Sequence, residues 1–263
     1  INMFSEQFDQ YIYLNLEKEE EKQLFEQNYP FTDLITNLFI YAGKKRNSGT
    51  TLIFIDEIQN SPKAIALLRY FYEEANDLYV ITAGSLLESI MDRKISFPVG
   101  RVEYMAIHPC SFKEFLYATD NELLAAELEK PTVPAFLHNQ LTAQFKKYAT
   151  IGGMPEVLKL YANGTDISSL GSVYDGLIYS FSDDVEKYSV SSAQTTYISH
   201  IIEHAFASGG TKITFEKFGN SEYRSREMRE AFRTLEKTML IRLVYPSISA
   251  EIPATPSLTR KPR

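Results

Sequence analysis

The chain has 263 residues and a mass of 30.1 kDa, which is enough for one large domain or two smaller ones with a sizeable core. One cysteine and four histidines without the spacing of metal ligands exclude a disulfide scaffold and a structural zinc finger. A net charge of −7, from 27 basic and 34 acidic residues, excludes a surface that attracts nucleic acid as a whole, so any nucleic-acid contact must be local.

The first part of the chain has the pattern of an α/β fold. Residues 11–16 form an apolar and aromatic run that predicts a buried strand, and the acidic residues 17–21 predict the start of a solvent-facing helix. Apolar residues at helical spacing predict a second helix over 33–41. A polar loop over 43–49 then interrupts the pattern.

The segment after this loop is the most informative one. Residues 52–55 are apolar without alternation, which is typical of a strand covered on both faces, and this strand ends in Asp56 and Glu57. A Ser-Pro pair then begins a helix that runs to about residue 75, and residues 78–83 form a second apolar run. Strand, helix and strand in this order predict a βαβ unit and therefore a parallel sheet.

Strand and helix signals continue beyond this unit. Residues 102–107 predict a further strand. Ser111 and Glu114 have the spacing of a capping box, in which each side chain accepts a hydrogen bond from the backbone N–H of the other residue. This motif predicts a helix over 112–118.

The pattern after Asn121 is almost entirely helical, so we place a domain boundary near Glu122 and predict domains over 1–121 and 122–263. A helix within 223–244 ends in the strand-like run 240–244, which predicts a winged-helix-like end. The expected fold class is α/β: a parallel sheet flanked by helices, followed by a mostly helical domain.

Four polar residues of the first domain suit nucleoside-triphosphate chemistry. Asp56 can hold Mg²⁺ through a water while Glu57 orients and deprotonates the attacking water. Ser85 follows the next strand, where a hydroxyl can sense the γ-phosphate, and Arg101 stands on a Pro-Gly loop from which it can reach a neighbouring subunit. Each has a simpler interpretation: an Asp-Glu pair that starts a loop, a Gly-Ser turn and a surface salt bridge.

Four motifs together resemble the bacterial and archaeal AAA-type ATPases that carry a C-terminal domain of unknown function. The motifs occur in the same order as in that family: Thr51–Gln59, Ala83–Leu87, Phe97–Val102 and Pro109–Leu116. The resemblance implies a P-loop sheet followed by a winged helix and a nuclease-like tail, with ATP and Mg²⁺ as ligands.

The same resemblance assigns roles to the four residues. It makes Asp56 and Glu57 the Walker B pair and puts Ser85 near the sensor position. It makes Arg101 an arginine finger that completes the site of a neighbouring subunit in a homo-oligomer. The implied function is an ATP-driven molecular switch.

The phosphate-binding loop of this family is missing from the 263 residues. It has the pattern G-x-x-x-x-G-K-[ST], which lets backbone N–H groups and a lysine hold the phosphates, and no such string occurs in the sequence. The resemblance places the loop just upstream of Ile1 and further sequence after Arg263. We therefore expect an internal fragment that does not hydrolyse ATP by itself.

Two other functions stay open. Arg226, Arg229, Arg233 and Lys237 share one helical stripe, as in the recognition helix of a DNA-binding winged-helix protein. Acidic residues four positions away from Arg226 favour a salt-bridged solvent face instead. A protein-interaction module without turnover is the third hypothesis.

The remaining histidine pair and the cysteine carry weaker signals. His200 and His204 lie four residues apart on a predicted helix and could bind a metal, but without a visible third ligand we expect a packing or surface role. Cys110 is expected to be an inert thiol. A single thiol, no signal-peptide pattern and no apolar run near the roughly 20 residues of a membrane span predict a cytoplasmic protein without a membrane partner.

Overall fold

The computed structural model of the chain describes residues 1–84, 100–185, 189, 191–247 and 262. The chain divides into two compact units, one formed by residues 1–104 and 188–263 and the other by residues 105–187. Within the described residues, no helix combines the length and the apolar character needed to cross a membrane.

The described part of the first 104 residues contains four α-helices and three strands. Their bounds are α1 (Asn2–Ser5), β1 (Gln10–Asn15), α2 (Glu19–Glu26), α3 (Phe31–Tyr41), β2 (Thr51–Asp56), α4 (Pro62–Glu74) and β3 (Leu78–Thr82). A single 3₁₀ turn over Ile58–Asn60 separates β2 from α4.

The three strands form a parallel sheet in the order β1, β2, β3. The central strand β2 is buried at every position except its last, Asp56, which is half-buried. Helices α3 and α4 contribute to the same hydrophobic core as β1 and β2, through residues that include Leu34, Leu38, Ile65 and Phe71. The predicted parallel sheet and its βαβ unit are therefore confirmed.

Helix α4 begins as the Ser-Pro pair predicts. The Ser61 Oγ accepts a hydrogen bond from the backbone N–H of Ala64 at 3.0 Å, and Pro62 occupies the first helical turn. Ser61 is fully buried, and its hydroxyl also donates to a carboxylate oxygen of Glu26 in α2 at 2.6 Å. This buried serine thus fixes the start of α4 and links it to α2.

The second unit is helical in its described part. It contains α5 (Phe112–Ala118), α6 (Glu122–Glu127), α7 (His138–Ile151), α8 (Pro155–Ala162) and α9 (Gly171–Asp183). The capping box is confirmed: the Ser111 Oγ accepts from the Glu114 N–H at 3.3 Å, and the Glu114 carboxylate accepts from the Ser111 N–H at 2.6 Å.

Helices α5 and α6 lie on either side of the boundary that we predict near Glu122. Phe115 and Leu116 of α5 and Ala125 of α6 are fully buried in one hydrophobic cluster. Residue 122 therefore lies inside a compact unit, whereas the change between units comes between residues 104 and 105. The division into functional domains over 1–121 and 122–263 stays a prediction.

Residues 188–263 contain two described α-helices, α10 (Ser192–Ala205) and α11 (Ser225–Lys237). Met228, Phe232 and Leu235 are buried on one side of α11, as their helical spacing predicts. Ile198, Ile201 and Ile202 are the buried residues of α10.

Two predicted strands are wrong. Residues 102–107 form no strand, because only Val102 packs against the sheet core while Tyr104, Met105 and Ile107 are exposed. Residues 240–244 form no strand either, because this segment folds back and contacts α11. There the Leu243 N–H donates to a Glu236 carboxylate oxygen at 3.0 Å. The winged-helix-like end is thus unsupported in the described part of the chain.

Gly153 lies against the backbone of Cys110 in the helical unit. Its carbonyl accepts from the Cys110 N–H at 2.7 Å, and a Cβ added to Gly153 would lie 2.2 Å from the Cys110 carbonyl oxygen. The Tyr148 hydroxyl donates to that same oxygen at 2.8 Å. Only glycine fits here without moving backbone atoms.

We predict that Gly153→Ala lowers the free energy of unfolding by about 1–3 kcal/mol, the range for an overpacked interior. Gly176→Ala is the matched control, because its added Cβ meets open space inside α9 and alanine favours a helix. Chemical denaturation of the three proteins measures the difference. Equal stability of Gly153→Ala and the unmodified chain would contradict the close approach.

Candidate functional site

Asp56 lies at the carboxyl end of the central strand β2, beside the ends of both neighbouring strands. The sheet register pairs it with Asn15 of β1, and the preceding Ile55 pairs with Thr82 of β3. Its Oδ2 accepts from the Tyr13 hydroxyl at 3.2 Å, and its Oδ1 accepts from the Glu57 N–H at 3.1 Å. These contacts orient the carboxylate at the edge where ligands bind in parallel sheets.

Glu57 leaves the strand with a left-handed backbone, at φ 52° and ψ 41°. This conformation is uncommon for a residue with a side chain and is stabilised here by the surrounding structure. The next N–H, that of Ile58, donates to the Ala83 carbonyl at 3.0 Å, and the Ala83 N–H donates to the Ile55 carbonyl at 3.0 Å. The turn that carries Glu57 is therefore bound to the end of β3.

Gln59 holds the Glu57 side chain. Its Nε2 donates a short hydrogen bond to a Glu57 carboxylate oxygen. The other end of the Gln59 amide, Oε1, is buried without a hydrogen-bond partner among the described residues. A Cβ added to Gly84 would lie 2.4 Å from this oxygen. Gly84 is therefore the residue that leaves space for the Gln59 amide.

Tyr13 adds an aromatic hydroxyl to the acidic pair. Its ring stacks on Phe54 at 5.6 Å between centroids and is 45% exposed. Desolvation and the hydrogen bond to Asp56 raise the pKa of the Tyr13 hydroxyl, because both disfavour the phenolate. The hydroxyl therefore stays protonated and donates to Asp56 at neutral pH.

Arg101 is placed differently from the acidic pair. Its Nε lies 2.6 Å from a carboxylate oxygen of Glu73 in α4, and Glu73 also pairs with Arg69 at 3.3 Å. The hydrogen bond from Arg101 holds the pKa of Glu73 below its ordinary value. Arg101 thus forms a surface salt bridge, which is the alternative to an arginine finger given in the sequence analysis. Ser85, the candidate sensor, lies outside the described residues.

The donor set at the end of β2 fits a hard cation. Asp56 and Glu57 are both half-buried, and their carboxylate oxygens are the ligands that Mg²⁺ prefers. The Gln59 Oε1 adds a polar atom that has no hydrogen-bond partner among the described residues. The described residues therefore fit the metal half of a nucleotide site, whereas the sequence has no P-loop string for the phosphates.

The basic stripe on α11 faces solvent. Arg226, Arg229 and Arg233 are exposed, Arg226 pairs with Glu230 at 3.6 Å, and the Arg229 guanidinium lies over the Phe215 ring at 5.6 Å. These contacts are those of a salt-bridged helix face, so DNA binding through the stripe stays a hypothesis.

Sequence reasoning missed three residues next to its candidates. Nothing in the sequence pattern indicated that Tyr13 and Gln59 contact the acidic pair, although Gln59 is the last residue of the Thr51–Gln59 motif. Glu203 was missed beside His200 and His204, although it lies one helical turn from the first of them. The three-residue spacing between His200 and Glu203 could have identified Glu203 as a third candidate ligand.

Comparison with known proteins agrees with the α/β part of the chain. Residues 1–116 match the sequence model of a family described as an AAA domain. Residues 142–263 match a domain of unknown function (DUF8612). No curated protein and no solved structure matches the chain. The first match supports an AAA-type P-loop family and a nucleotide-binding domain, and the second assigns no activity, winged helix or nuclease-like tail.

We predict that Asp56→Asn lowers the pKa of the Tyr13 hydroxyl, because the substitution removes the negative charge that disfavours the phenolate. The pKa stays above its ordinary value, since desolvation remains the largest cause. NMR titration with ¹³C-labelled tyrosine measures the change. Glu74→Gln, which alters a carboxylate that does not act on Tyr13, is the control, and an unchanged Tyr13 pKa in Asp56→Asn would contradict the contact.

Proposed function

We propose that the chain is part of an ATP-binding and ATP-hydrolysing AAA-type protein that works as a molecular switch. One observation carries the proposal: Asp56 ends the buried central strand of a parallel sheet and Glu57 follows it, in a region that matches an AAA domain. The carboxyl end of such a strand opens on the crevice where α/β sheets bind their ligands. An acidic pair at that place is suited to a magnesium-nucleotide site.

The two carboxylates have separate tasks in this proposal. Asp56 would hold Mg²⁺ through a water, and Tyr13 keeps the Asp56 carboxylate oriented through its hydroxyl. The bound Mg²⁺ would neutralise the charge that develops on the phosphates. Glu57 accepts a proton from the attacking water, and Gln59 orients the Glu57 carboxylate.

The phosphates require a loop that the 263 residues do not contain, since no G-x-x-x-x-G-K-[ST] string occurs in them. The proposal therefore concerns the protein that includes such a loop. Ser85 completes the site as the polar sensor, a role that rests on the family resemblance.

Arg101 acts in trans in this proposal and reaches the nucleotide of a neighbouring subunit in a homo-oligomer. Its guanidinium is 41% exposed and is held by Glu73 rather than by the acidic pair of its own chain. An exposed ion pair of this kind contributes little to stability, so the Glu73 contact itself costs little to open. Arg101 would exchange Glu73 for a phosphate when a neighbour binds.

In the protein that includes the P-loop, we expect Glu57→Gln to keep nucleotide affinity and lose turnover, since an amide keeps the shape but accepts no proton. Asp56→Ala should instead lose magnesium-dependent affinity. Nucleotide binding and phosphate release are measured on both, with Glu74→Gln as the control. Equal turnover of Glu57→Gln and the unmodified protein would reject the assigned base, and no turnover in the unmodified protein would favour the interaction module.

For Arg101→Ala in the same protein we expect normal ATP binding with hydrolysis slowed by about 10³-fold or more, the range for arginine fingers. Glu73→Gln is the matched control, because it breaks the ion pair and keeps the guanidinium, so its hydrolysis should stay near that of the unmodified protein.

Mixing Arg101→Ala subunits with Glu57→Gln subunits tests the shared site. Some mixed interfaces then combine an intact Glu57 with an intact Arg101, so activity should return. If the two variants co-assemble and the mixture stays inactive, Arg101 acts within its own chain or only structurally, and the shared site is rejected.

A further inference from the structure

Three side chains with metal-ligating atoms meet on one face of α10. His200, Glu203 and His204 place one ligand atom each within 4.8 Å of one another. The two histidines are half-buried and Glu203 is exposed. Residues three and four positions apart lie on the same face of a helix, which brings these three together.

Hydrogen bonds determine which ring nitrogens carry hydrogen. The His200 Nε2 lies 2.9 Å from the Phe218 carbonyl oxygen, and the His204 Nδ1 lies 2.9 Å from the His200 carbonyl oxygen. A carbonyl only accepts, so both nitrogens are N–H donors. In the neutral rings, the His200 Nδ1 and the His204 Nε2 then carry lone pairs.

Metal-binding histidines show the same arrangement. The nitrogen opposite the metal donates to a backbone carbonyl or a carboxylate, which fixes the tautomer and the ring orientation. Both rings of this pair have such a carbonyl. The rings stack at 4.2 Å between centroids with 30° between their planes, so at least one ring turns when both lone pairs meet one ion. The pair therefore already has the outer contacts of two metal ligands.

The turn over Phe218–Asn220 is shaped to cover the rings. Phe218 is buried and packs edge-on against Phe232 at 4.9 Å, which fixes its carbonyl toward His200. Lys217, Gly219 and Asn220 all have left-handed backbones, and a Cβ on Gly219 would lie 2.7 Å from the His204 Cγ. Non-glycine residues in this conformation are concentrated at functional sites.

We propose that His200, Glu203 and His204 bind a divalent transition metal ion of the Zn²⁺ class. The ligands are the His200 Nδ1, the His204 Nε2 and a carboxylate oxygen of Glu203. Imidazole nitrogens favour zinc and its neighbours over Mg²⁺, and three protein ligands leave a position for water or another group. Bonds of about 2.1 Å need ligand atoms about 3.4 Å apart, so the three side chains, which lie within 4.8 Å of one another, draw together on binding.

This proposal replaces the packing role that we expected for the histidine pair alone. Packing explains the stacked rings, and the proposal adds Glu203, which has a carboxylate oxygen within 4.8 Å of a nitrogen of each ring. The site is independent of Asp56 and the nucleotide chemistry, and binding alone tests it.

The test is a titration of the 263-residue chain with Zn²⁺ against a chromophoric chelator, followed by Co²⁺ absorption. We expect one Zn²⁺ per chain and a visible Co²⁺ spectrum typical of nitrogen ligands. His204→Ala and Glu203→Ala should each weaken Zn²⁺ binding by at least tenfold. His138→Ala is the control, because this exposed histidine lies outside the cluster, and its affinity should not change.

A second pair of variants keeps all three ligands. Gly219→Ala adds a Cβ against both rings, whereas Gly210→Ala adds one at a similar φ, +73°, with nothing within 4 Å. We expect Gly219→Ala to weaken Zn²⁺ binding and Gly210→Ala to leave it unchanged. Circular dichroism checks that each variant is folded.

Several results would overturn the site. The site is rejected if the chain binds no stoichiometric Zn²⁺, or if His138→Ala lowers the affinity as much as His204→Ala does. Zn²⁺ binding that survives in Glu203→Ala and His204→Ala at the unmodified affinity would place the ion elsewhere. If His204→Ala fails to fold, Glu203→Ala decides, because the Glu203 side chain is exposed.

Discussion

The parallel pairing of β2 with a strand on each side is the constraint on which the candidate nucleotide site depends. Five of its six residues are buried, so the strand has no solvent-facing position until Asp56. Parallel pairing brings the carboxyl ends of all three strands to one edge. The polar end of β2 therefore meets both neighbours: Asp56 accepts from the Tyr13 hydroxyl of β1, and the turn after Glu57 binds the Ala83 backbone after β3.

Backbone hydrogen bonds fix the position of the turn at that edge of the sheet. The hydrogen bonds of Ile58 with Ala83 and of Ala83 with Ile55 bind the turn after β2 to β3. Glu57 adopts a left-handed backbone conformation at this turn, which lowers the stability of the fold by about 1–3 kcal/mol. Burial of β2 and its neighbours supplies far more than this, so the fold can hold the strained glutamate. The resulting direction of the Glu57 side chain brings it to the Gln59 amide.

Local signals in the sequence predicted the local features. The apolar run of β2, the Ser61 cap and the Ser111 capping box each depend on residues within a few positions, and the structure confirms all three. The two wrong strands had the right composition but no partner among the described residues. Strand formation depends on distant partners, which composition does not specify.

Only the part of the candidate nucleotide site that lies within one short segment could be predicted from the sequence. Asp56 and Glu57 are neighbours in the chain, and their position at the end of β2 followed from the apolar run of the strand itself. The Tyr13 hydroxyl reaches Asp56 from 43 positions away, and Arg101 reaches Glu73 from 28 positions away. Such contacts depend on register and loop path, which spacing along one sequence does not contain.

The two candidate metal sites have different ligand atoms and therefore select different ions. Oxygen atoms of Asp56 and Glu57 suit a hard cation that keeps its waters, whereas two imidazoles with one carboxylate suit zinc and its neighbours. Ligand chemistry alone thus discriminates between Mg²⁺ and Zn²⁺ in one chain. Ligand removal at one site should therefore leave the other ion bound, because the two sites share no ligand residue.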